Sequence, residues 1–133
     1  MRITRAADIG LRALMVLASG DGRRTTLAAL ADDLAVPERH LGKVVQRLAR
    51  EGWIDTARGR GGGIAISDAG RQAAASDVLI AIEGQAPVVN CDDPPCPLRS
   101  SCRLRSALGA AQRAFMAELA RSTVDDLAGP SIR

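Results

Sequence analysis

The sequence predicts a mainly α-helical chain with one small β-hairpin. Two observations carry this prediction: apolar residues recur at helical spacing in several stretches, and two short strand-like runs flank the glycine-rich turn RGRGGG. A length of 133 residues with 47% hydrophobic content suffices for one domain, or for a small domain with a helical extension. No apolar run approaches the roughly 20 residues needed to cross a bilayer. The charged start MRITRAADIG is unlike a signal peptide, so we expect a cytoplasmic protein.

Three helices are predicted before the hairpin. The first covers residues 3–19, where apolar side chains form a single stripe, and the GDG at 20–22 ends it. Thr25 or Thr26 caps a short second helix that reaches about residue 35. The third covers residues 37–50 and has a proline at a first-turn position. One side of it is apolar, and the other is polar and basic: Arg39, His40, Lys43, Gln46, Arg47 and Arg50.

The second and third helices form a helix-turn-helix pattern, in which the basic second member enters the major groove of DNA. The hairpin that follows, with strands at 52–57 and 64–67, makes a wing with arginines at its tip. Its glycines let the backbone approach a phosphate or bring an arginine into a narrow minor groove. We therefore predict a winged helix-turn-helix DNA-binding domain at residues 1–70.

The residues predicted to contact DNA have separate roles. Arg39 and Lys43 are the candidates for base contact, the wing arginines for the minor groove or backbone, and the hydroxyl at the start of the second helix for a phosphate. The full set is Thr26, Arg39, His40, Lys43, Arg47, Arg58 and Arg60. As alternatives, His40 is merely exposed and the wing tip is an ordinary solvated turn. The scarcity of aromatic residues argues against a protein that stacks single-stranded bases.

The second half of the chain is predicted to begin with a turn at 68–70. A short helix follows, marked by Val78, Leu79 and Ile82, and ends near Gly84. This helix and a cysteine-rich loop together make up residues 71–102.

A long helix is predicted at about residues 101–121. Its apolar seam has the spacing of a helix that packs against a partner helix: Leu104, Leu108, Ala111, Phe115 and Leu119. A two-fold mate is the simplest partner, so residues 103–133 are predicted to be a dimerisation helix and C-terminal tail of a homodimer. A capped turn at 122–127 and a frayed GPSIR end complete the prediction.

The three cysteines of the chain, Cys91, Cys96 and Cys102, stand in the pattern C-x4-C-x5-C. Interspersed prolines make helix or sheet improbable before about Arg99. Three thiols cannot all pair within one chain, and a reducing compartment disfavours disulfides, so the cluster indicates metal binding or redox sensing. An iron-sulfur cluster is favoured over zinc because zinc usually takes a fourth Cys or His, and His40 lies on the predicted recognition helix. Zinc and simple reactive thiols remain alternatives.

These stretches resemble the winged-helix iron-sulfur transcription regulators of bacteria, a group that includes an iron-sulfur-assembly regulator, a rhizobial iron regulator and the nitric-oxide-sensing repressors. The resemblance runs from MRITRAADIGLRALM, through ARGRGGGIAIS and CDDPPCPLRSSCRLR, to TVDDLA near the end. The cysteine spacing, with an aspartate at position 8, is most similar to the nitric-oxide-sensing members. The assembly regulator has a histidine three positions after its last cysteine, where this chain has Arg105.

The resemblance implies a homodimeric repressor that binds a palindromic promoter site on double-stranded DNA and is released by nitric oxide. It implies a 4Fe-4S cluster, with 2Fe-2S as the alternative, held by Cys91, Cys96, Cys102 and, from the other subunit, Asp8. Other possibilities are an iron- or redox-sensing regulator of the same family, a thiol- or zinc-based regulator, and a cluster carrier or interaction module without a DNA site. An enzyme is not expected, because no nucleophile-base arrangement is present.

Overall fold

In the computed structural model, residues 2–129 are described and form seven helices and one two-stranded antiparallel sheet. The mainly α class with a β-hairpin wing is thereby confirmed. None of the helices in this range is long and apolar enough to cross a membrane. The order is α1 Arg5–Ser19, α2 Leu27–Leu34, α3 Glu38–Arg50, β1 Ile54–Ala57, β2 Gly63–Ile66, α4 Asp68–Gln72, α5 Ala75–Glu83, α6 Arg103–Leu119 and α7 Val124–Ala128.

The starts of the first three helices follow from local capping. Thr4 caps α1, where its hydroxyl accepts the Ala7 N–H at 3.2 Å. Thr26 caps α2 in the same way, with the Ala29 N–H at 3.0 Å. Pro37 is the N-cap residue of α3, so that helix starts one residue later than predicted. Between α2 and α3, Ala35 adopts a left-handed conformation with φ 53°, which makes the tight turn of the helix-turn-helix.

The core is built around α1, which packs against α2, α3, α5 and α7. Each of these helices contributes at least one large side chain that is fully buried. Burial of a side chain of this size stabilises the fold by about 1.5–3 kcal/mol. These residues are Leu14, Leu30, Leu41, Leu48, Val78 and Val124.

The wing is attached to the helix-turn-helix by a third extended segment that the sequence did not indicate. Strands β1 and β2 pair antiparallel, with Ile54 opposite Ile66. On the other edge of β2, Thr25 and Ile64 exchange backbone hydrogen bonds of 2.9 and 2.8 Å. Gly63 lies against this contact with φ +121°, and a Cβ at that position would be 2.4 Å from the Thr25 carbonyl oxygen. The base of the wing is therefore tied directly to the start of α2.

Two expectations for the second half require correction. The turn predicted at 68–70 is the first turn of α4, because Ser67 accepts the Gly70 N–H at 3.0 Å and caps a short helix. Helix α6 is shorter at both ends than the predicted 101–121, and Cys102 is its N-cap residue. The short helix ending near Gly84 is confirmed as α5, and α7 supplies the capped turn near the end. Most of GPSIR lies outside the described residues.

Helix α6 projects from the rest of the chain. All its residues belong to the described part, and none of them is buried. Leu104 is 65% exposed, while the other apolar seam residues are exposed or half-buried. The Gln112 side-chain amide donates to the Ala86 carbonyl at 2.8 Å and holds α6 to the segment that follows α5.

Candidate metal centre and DNA-binding surface

The cysteine segment connects α5 to α6 and is held by short-range hydrogen bonds. The Cys96 N–H donates to the Cys91 carbonyl at 3.0 Å, and the Arg99 N–H to the Cys96 carbonyl at 3.2 Å. The Asn90 side-chain oxygen accepts from the backbone N–H groups of the two aspartates that follow Cys91, at 3.0 and 3.2 Å. These turns replace regular structure, as the prolines predict. The loop is therefore held by its own hydrogen bonds, and Cys91 and Cys96 both lie within this series of turns.

All three thiols are free and half-buried in the described structure. The Cys102 sulfur accepts the Arg105 N–H at 3.3 Å, so it caps the N-terminus of α6. The position of the Cys102 sulfur is therefore set by the start of α6.

Asp8 lies elsewhere in the protomer. Its carboxylate accepts from the Arg12 Nε–H at 2.8 Å, one helical turn along α1. Together with Arg5, Ile9 and Arg12 it lines a small hollow whose other wall is the helix-turn-helix turn at 34–36. Asp8 is therefore next to the DNA-binding element and not next to the cysteines of its own chain.

The donor set matches an iron-sulfur cluster in its chemistry: three unpaired thiols on one segment, one of them already at a helix N-terminus. Within residues 2–129 of a single protomer, however, no three side chains of the His, Cys, Asp and Glu types gather into a metal site. A closed site therefore requires rearrangement of the loop, a ligand from a second subunit, or both.

The predicted DNA-contact residues lie on α2, α3 and the wing. Arg39, His40 and Lys43 are exposed on α3, and both wing arginines are exposed at the tip. The Thr26 hydroxyl is exposed but already caps α2. Arg47 differs from the rest, because its Nε–H donates to the Ala81 carbonyl of α5 at 2.9 Å. Its side chain is exposed like theirs, but its Nε–H is bonded to the protein itself.

Two arginines that the sequence did not single out support these surfaces. Arg24 donates to the Asp55 and Gly63 carbonyls at 3.4 and 3.3 Å and spans the two strands of the wing. Arg12 holds Asp8, and its position four residues later on a predicted helix is a readable signal for such a pair. The Arg24 contacts join residues that are far apart in the chain, and the sequence around Arg24 does not predict them.

An open groove of about 1370 Å³ runs between the end of α5, residues 84–89 and α6. Leu108, Phe115 and Met116 supply part of its apolar wall. Arginines line it as well: Arg2, Arg99, Arg103, Arg105 and Arg113. Of these, Arg99 is paired with Asp92 in the cysteine segment. The groove joins the cysteine segment to the unburied helix in one continuous surface.

The fold combines a winged helix-turn-helix, a cysteine segment and a projecting helix, which are the features of a family of transcription regulators. The chain belongs to the Rrf2 family, described as iron-dependent transcriptional regulators, whose model matches residues 3–130. The resemblance seen in the sequence is confirmed, and the family consists of transcription regulators and not enzymes. Among its relatives is the HTH-type transcriptional repressor NsrR of Streptomyces coelicolor. The two are 44% identical over 131 residues, which cover 96% of this chain and 88% of that protein.

Solved structures with the same fold include the oxidised form of CymR from Staphylococcus aureus. It has a TM-score of 0.76 and 23% identity, with both chains covered completely. The T. potens IscR structure has a TM-score of 0.75 and 19% identity, over 96% of this chain and 85% of that one. At these identities the likeness establishes the winged-helix fold alone.

Proposed function

We propose that this chain is a cytoplasmic, homodimeric transcription repressor that binds a palindromic promoter site in its iron-sulfur form and leaves it when nitric oxide reacts with the cluster. The observation that carries the proposal is the position of three free thiols between a winged helix and an unburied helix. The 44% identity to NsrR over nearly the whole chain supports the same function.

In this proposal residues 71–102 are the sensor segment. Cys91, Cys96 and Cys102 would hold a 4Fe-4S cluster, or a 2Fe-2S cluster as the alternative, and Asp8 would come from the second subunit. When bound, the cluster supplies an iron that three thiolates leave open to an oxygen ligand or to nitric oxide. The Arg105 N–H already donates a hydrogen bond to the Cys102 sulfur and holds it at the start of α6.

Residues 1–70 are the proposed DNA-binding domain. Arg39 and Lys43 are exposed on α3 and are assigned to base edges in the major groove. Arg58 and Arg60 are assigned to the minor groove or backbone, with the wing held in position by Arg24 and the Thr25–Ile64 pair. At the N-terminus of α2, Thr26 is assigned to a phosphate.

Residues 103–133 are the proposed dimerisation helix and tail. A 17-residue helix with no buried residue needs a surface to cover its apolar seam, and a second copy of α6 offers a complementary one. The two recognition helices must then lie about 34 Å apart to enter successive major grooves. Any change at the subunit contact alters this distance and hence affinity for DNA.

Asp8 is the proposed link between the sensor segment and DNA binding. Its carboxylate lies in the hollow formed with the turn between α2 and α3. Bound to the other subunit's site, Asp8 would tie α1 of one protomer to the cysteine segment of its mate. Loss of that tie releases α1 next to the turn that positions the recognition helix.

The test is isolation of the protein without air, followed by visible and Mössbauer spectroscopy and by DNA binding to fragments of its own promoter region. We expect a coloured, iron-containing protein that binds DNA and loses both its spectrum and its DNA affinity after stoichiometric nitric oxide. A triple variant, C91S/C96S/C102S, is the control and is expected to be colourless. A colourless, iron-free wild-type protein that binds its operator rejects the proposal.

The second candidate is an iron-sensing regulator, which is favoured by the description of the family as iron-dependent. Here the presence of the cluster itself, and not its reaction with nitric oxide, determines DNA binding. Nitric oxide titration of the anaerobic protein separates the two candidates: DNA affinity that follows iron content but ignores nitric oxide identifies the second.

A further inference from the structure

The last turn of α5 is in contact with two other helices of the protein. This turn, residues 80–83, directly precedes the segment that leads to the cysteines. The Ala81 carbonyl accepts from Arg47 of α3. The Glu83 carboxylate accepts the backbone N–H of Thr4, the N-cap residue of α1. A change in the position of this turn therefore acts on both α1 and α3.

The packing around Gly10 makes the same junction tight. A Cβ at Gly10 would lie 2.4 Å from Ile82 Cδ1 and 3.3 Å from Val44 Cγ1. Helices α1, α3 and α5 thus meet where α1 has no side chain to separate them. Close packing of this kind transmits small displacements, because the interface cannot deform without loss of contacts.

Arg47 sits at the border between the buried and exposed sides of α3. It is exposed, but it follows the buried Val44 by three positions, and its side chain reaches α5 through a hydrogen bond. The Nε–H donates to a carbonyl in the last turn of α5, where main-chain acceptors are unpaired and a cation is favourable. The Nε–H of Arg47 is thereby committed to α5 and not to DNA.

We propose that Arg47 is a positioning residue that couples the recognition helix α3 to the end of α5, and through it to the cysteine segment. The inference rests on the proposed function and changes the role of one residue in it: Arg47 sets the orientation of α3 and does not contact DNA. A chemical change at the cysteines then reaches α3 through residues 80–83.

The test uses full-length R47A and R47K, with R50A as a matched control on the last turn of the same helix. R47K keeps the positive charge but lacks the guanidinium Nε–H. Amide hydrogen exchange is measured along α3 and at the Gly84 N–H, which donates to the Ile80 carbonyl at the end of α5. Each variant is compared before and after alkylation of the cysteines by iodoacetamide. DNA binding is measured over a range of salt concentrations.

We expect both Arg47 variants to exchange faster than wild type at Gly84 and in the second half of α3, by about tenfold, as for loss of one charge-assisted hydrogen bond. Alkylation should change exchange in α3 of wild type and R50A but not of the Arg47 variants. Both Arg47 variants should bind DNA more weakly with an unaltered salt slope.

Three results overturn the inference: exchange in wild-type α3 that ignores alkylation, wild-type behaviour of R47K, or a fall of about 0.9 in the salt slope of R47A, which marks a direct phosphate contact. Exchange needs neither iron nor operator. A protein that lacks a cluster or ignores nitric oxide therefore rejects the proposed function and leaves this measurement intact.

Discussion

The Arg12 Nε lies 2.8 Å from Asp8 Oδ1 on the solvent side of α1. The side chain of Asp8 is 39% exposed and that of Arg12 is 62% exposed, so water screens the pair and it contributes only about 0.3–0.5 kcal/mol. The main effect of the ion pair is to orient the carboxylate. A substitution at Asp8 can therefore test the proposed bond to the cluster with little effect on the stability of the fold.

Replacing Asp8 by Asn should leave the melting temperature within about 2 °C of wild type, because an exposed i,i+4 pair adds little. The lifetime of the visible cluster spectrum in anaerobic buffer with a chelator should fall several-fold. R12Q is the control, since it removes the same ion pair and keeps the carboxylate. An unchanged lifetime in D8N shows that Asp8 is not a ligand.

The wing provides a second prediction. R60A should weaken DNA binding and lower the slope of log affinity against log salt by about 0.9, the change expected when one phosphate contact is lost. R121A, which removes a surface ion pair with Glu118 at the C-terminal end of α6, should keep the wild-type slope. An R60A slope equal to that of wild type removes the wing tip from the DNA contact.

Gly63 tests the attachment of the wing. G63A forces a Cβ to within 2.4 Å of the Thr25 carbonyl oxygen and strains a residue at φ +121°. We expect a loss of about 1–3 kcal/mol in unfolding free energy together with weaker DNA binding. G61A is the control: its φ is +72°, but no described atom lies within 4 Å of the added Cβ. Equal effects of the two substitutions in thermal unfolding contradict a steric role for Gly63.

Much of this architecture could be predicted because its signals are local. The spacing of apolar residues predicts α1, α3 and α5, and the glycine-rich turn predicts the wing. Helix ends were displaced by up to two residues, since they depend on caps such as Thr4 and Cys102 that bond only when the backbone is in place. The helical turn at α4 was missed for the same reason.

The arrangement of the candidate site could not be predicted from the sequence, because it depends on contacts between residues that are far apart in the chain. Nothing in the sequence relates Arg47 to Ala81, or Asp8 to the turn at 34–36. The sequence predicts a DNA contact for Arg47 because it shares a helix with Arg39 and Lys43. Only the packing of α3 against α5 separates its direction from theirs.

Self-association should depend on the apolar seam of α6. L104E places a charge on a side chain that is 65% exposed in the single chain, so the fold of residues 2–83 should be retained. Sedimentation should give a monomer, and DNA affinity should drop because one protomer reads only a half-site. A28E, on an exposed position of α2, is the control and should remain dimeric. A dimeric L104E protein assigns the subunit contact to another surface.

Acid stability should reflect the capping box of α7. Hydrogen bonds from the Thr123 N–H and hydroxyl to the Asp126 carboxylate, at 2.9 and 2.8 Å, hold the pKa of that carboxyl below its ordinary value. The lowered pKa gives stability that is complete above the ordinary pKa of 3.8 and is lost as pH falls through the folded value. D126N should therefore lower the melting temperature at neutral pH and converge with wild type in strong acid. A D126N melting temperature that stays equally far below that of wild type in strong acid contradicts this role of the carboxylate.

The position of Cys102 depends on the stability of the projecting helix α6. Its sulfur caps α6, and α6 has no buried residue of its own to stabilise it. Isolated helices of this length are marginal in water, so in the proposed dimer the second copy of α6 would add to the stability of the helix. The position of the third thiol would then depend on association of the two subunits. Under the proposed function, a fall in protein concentration would loosen the helix and its capping sulfur together, and cellular abundance would be a part of the response.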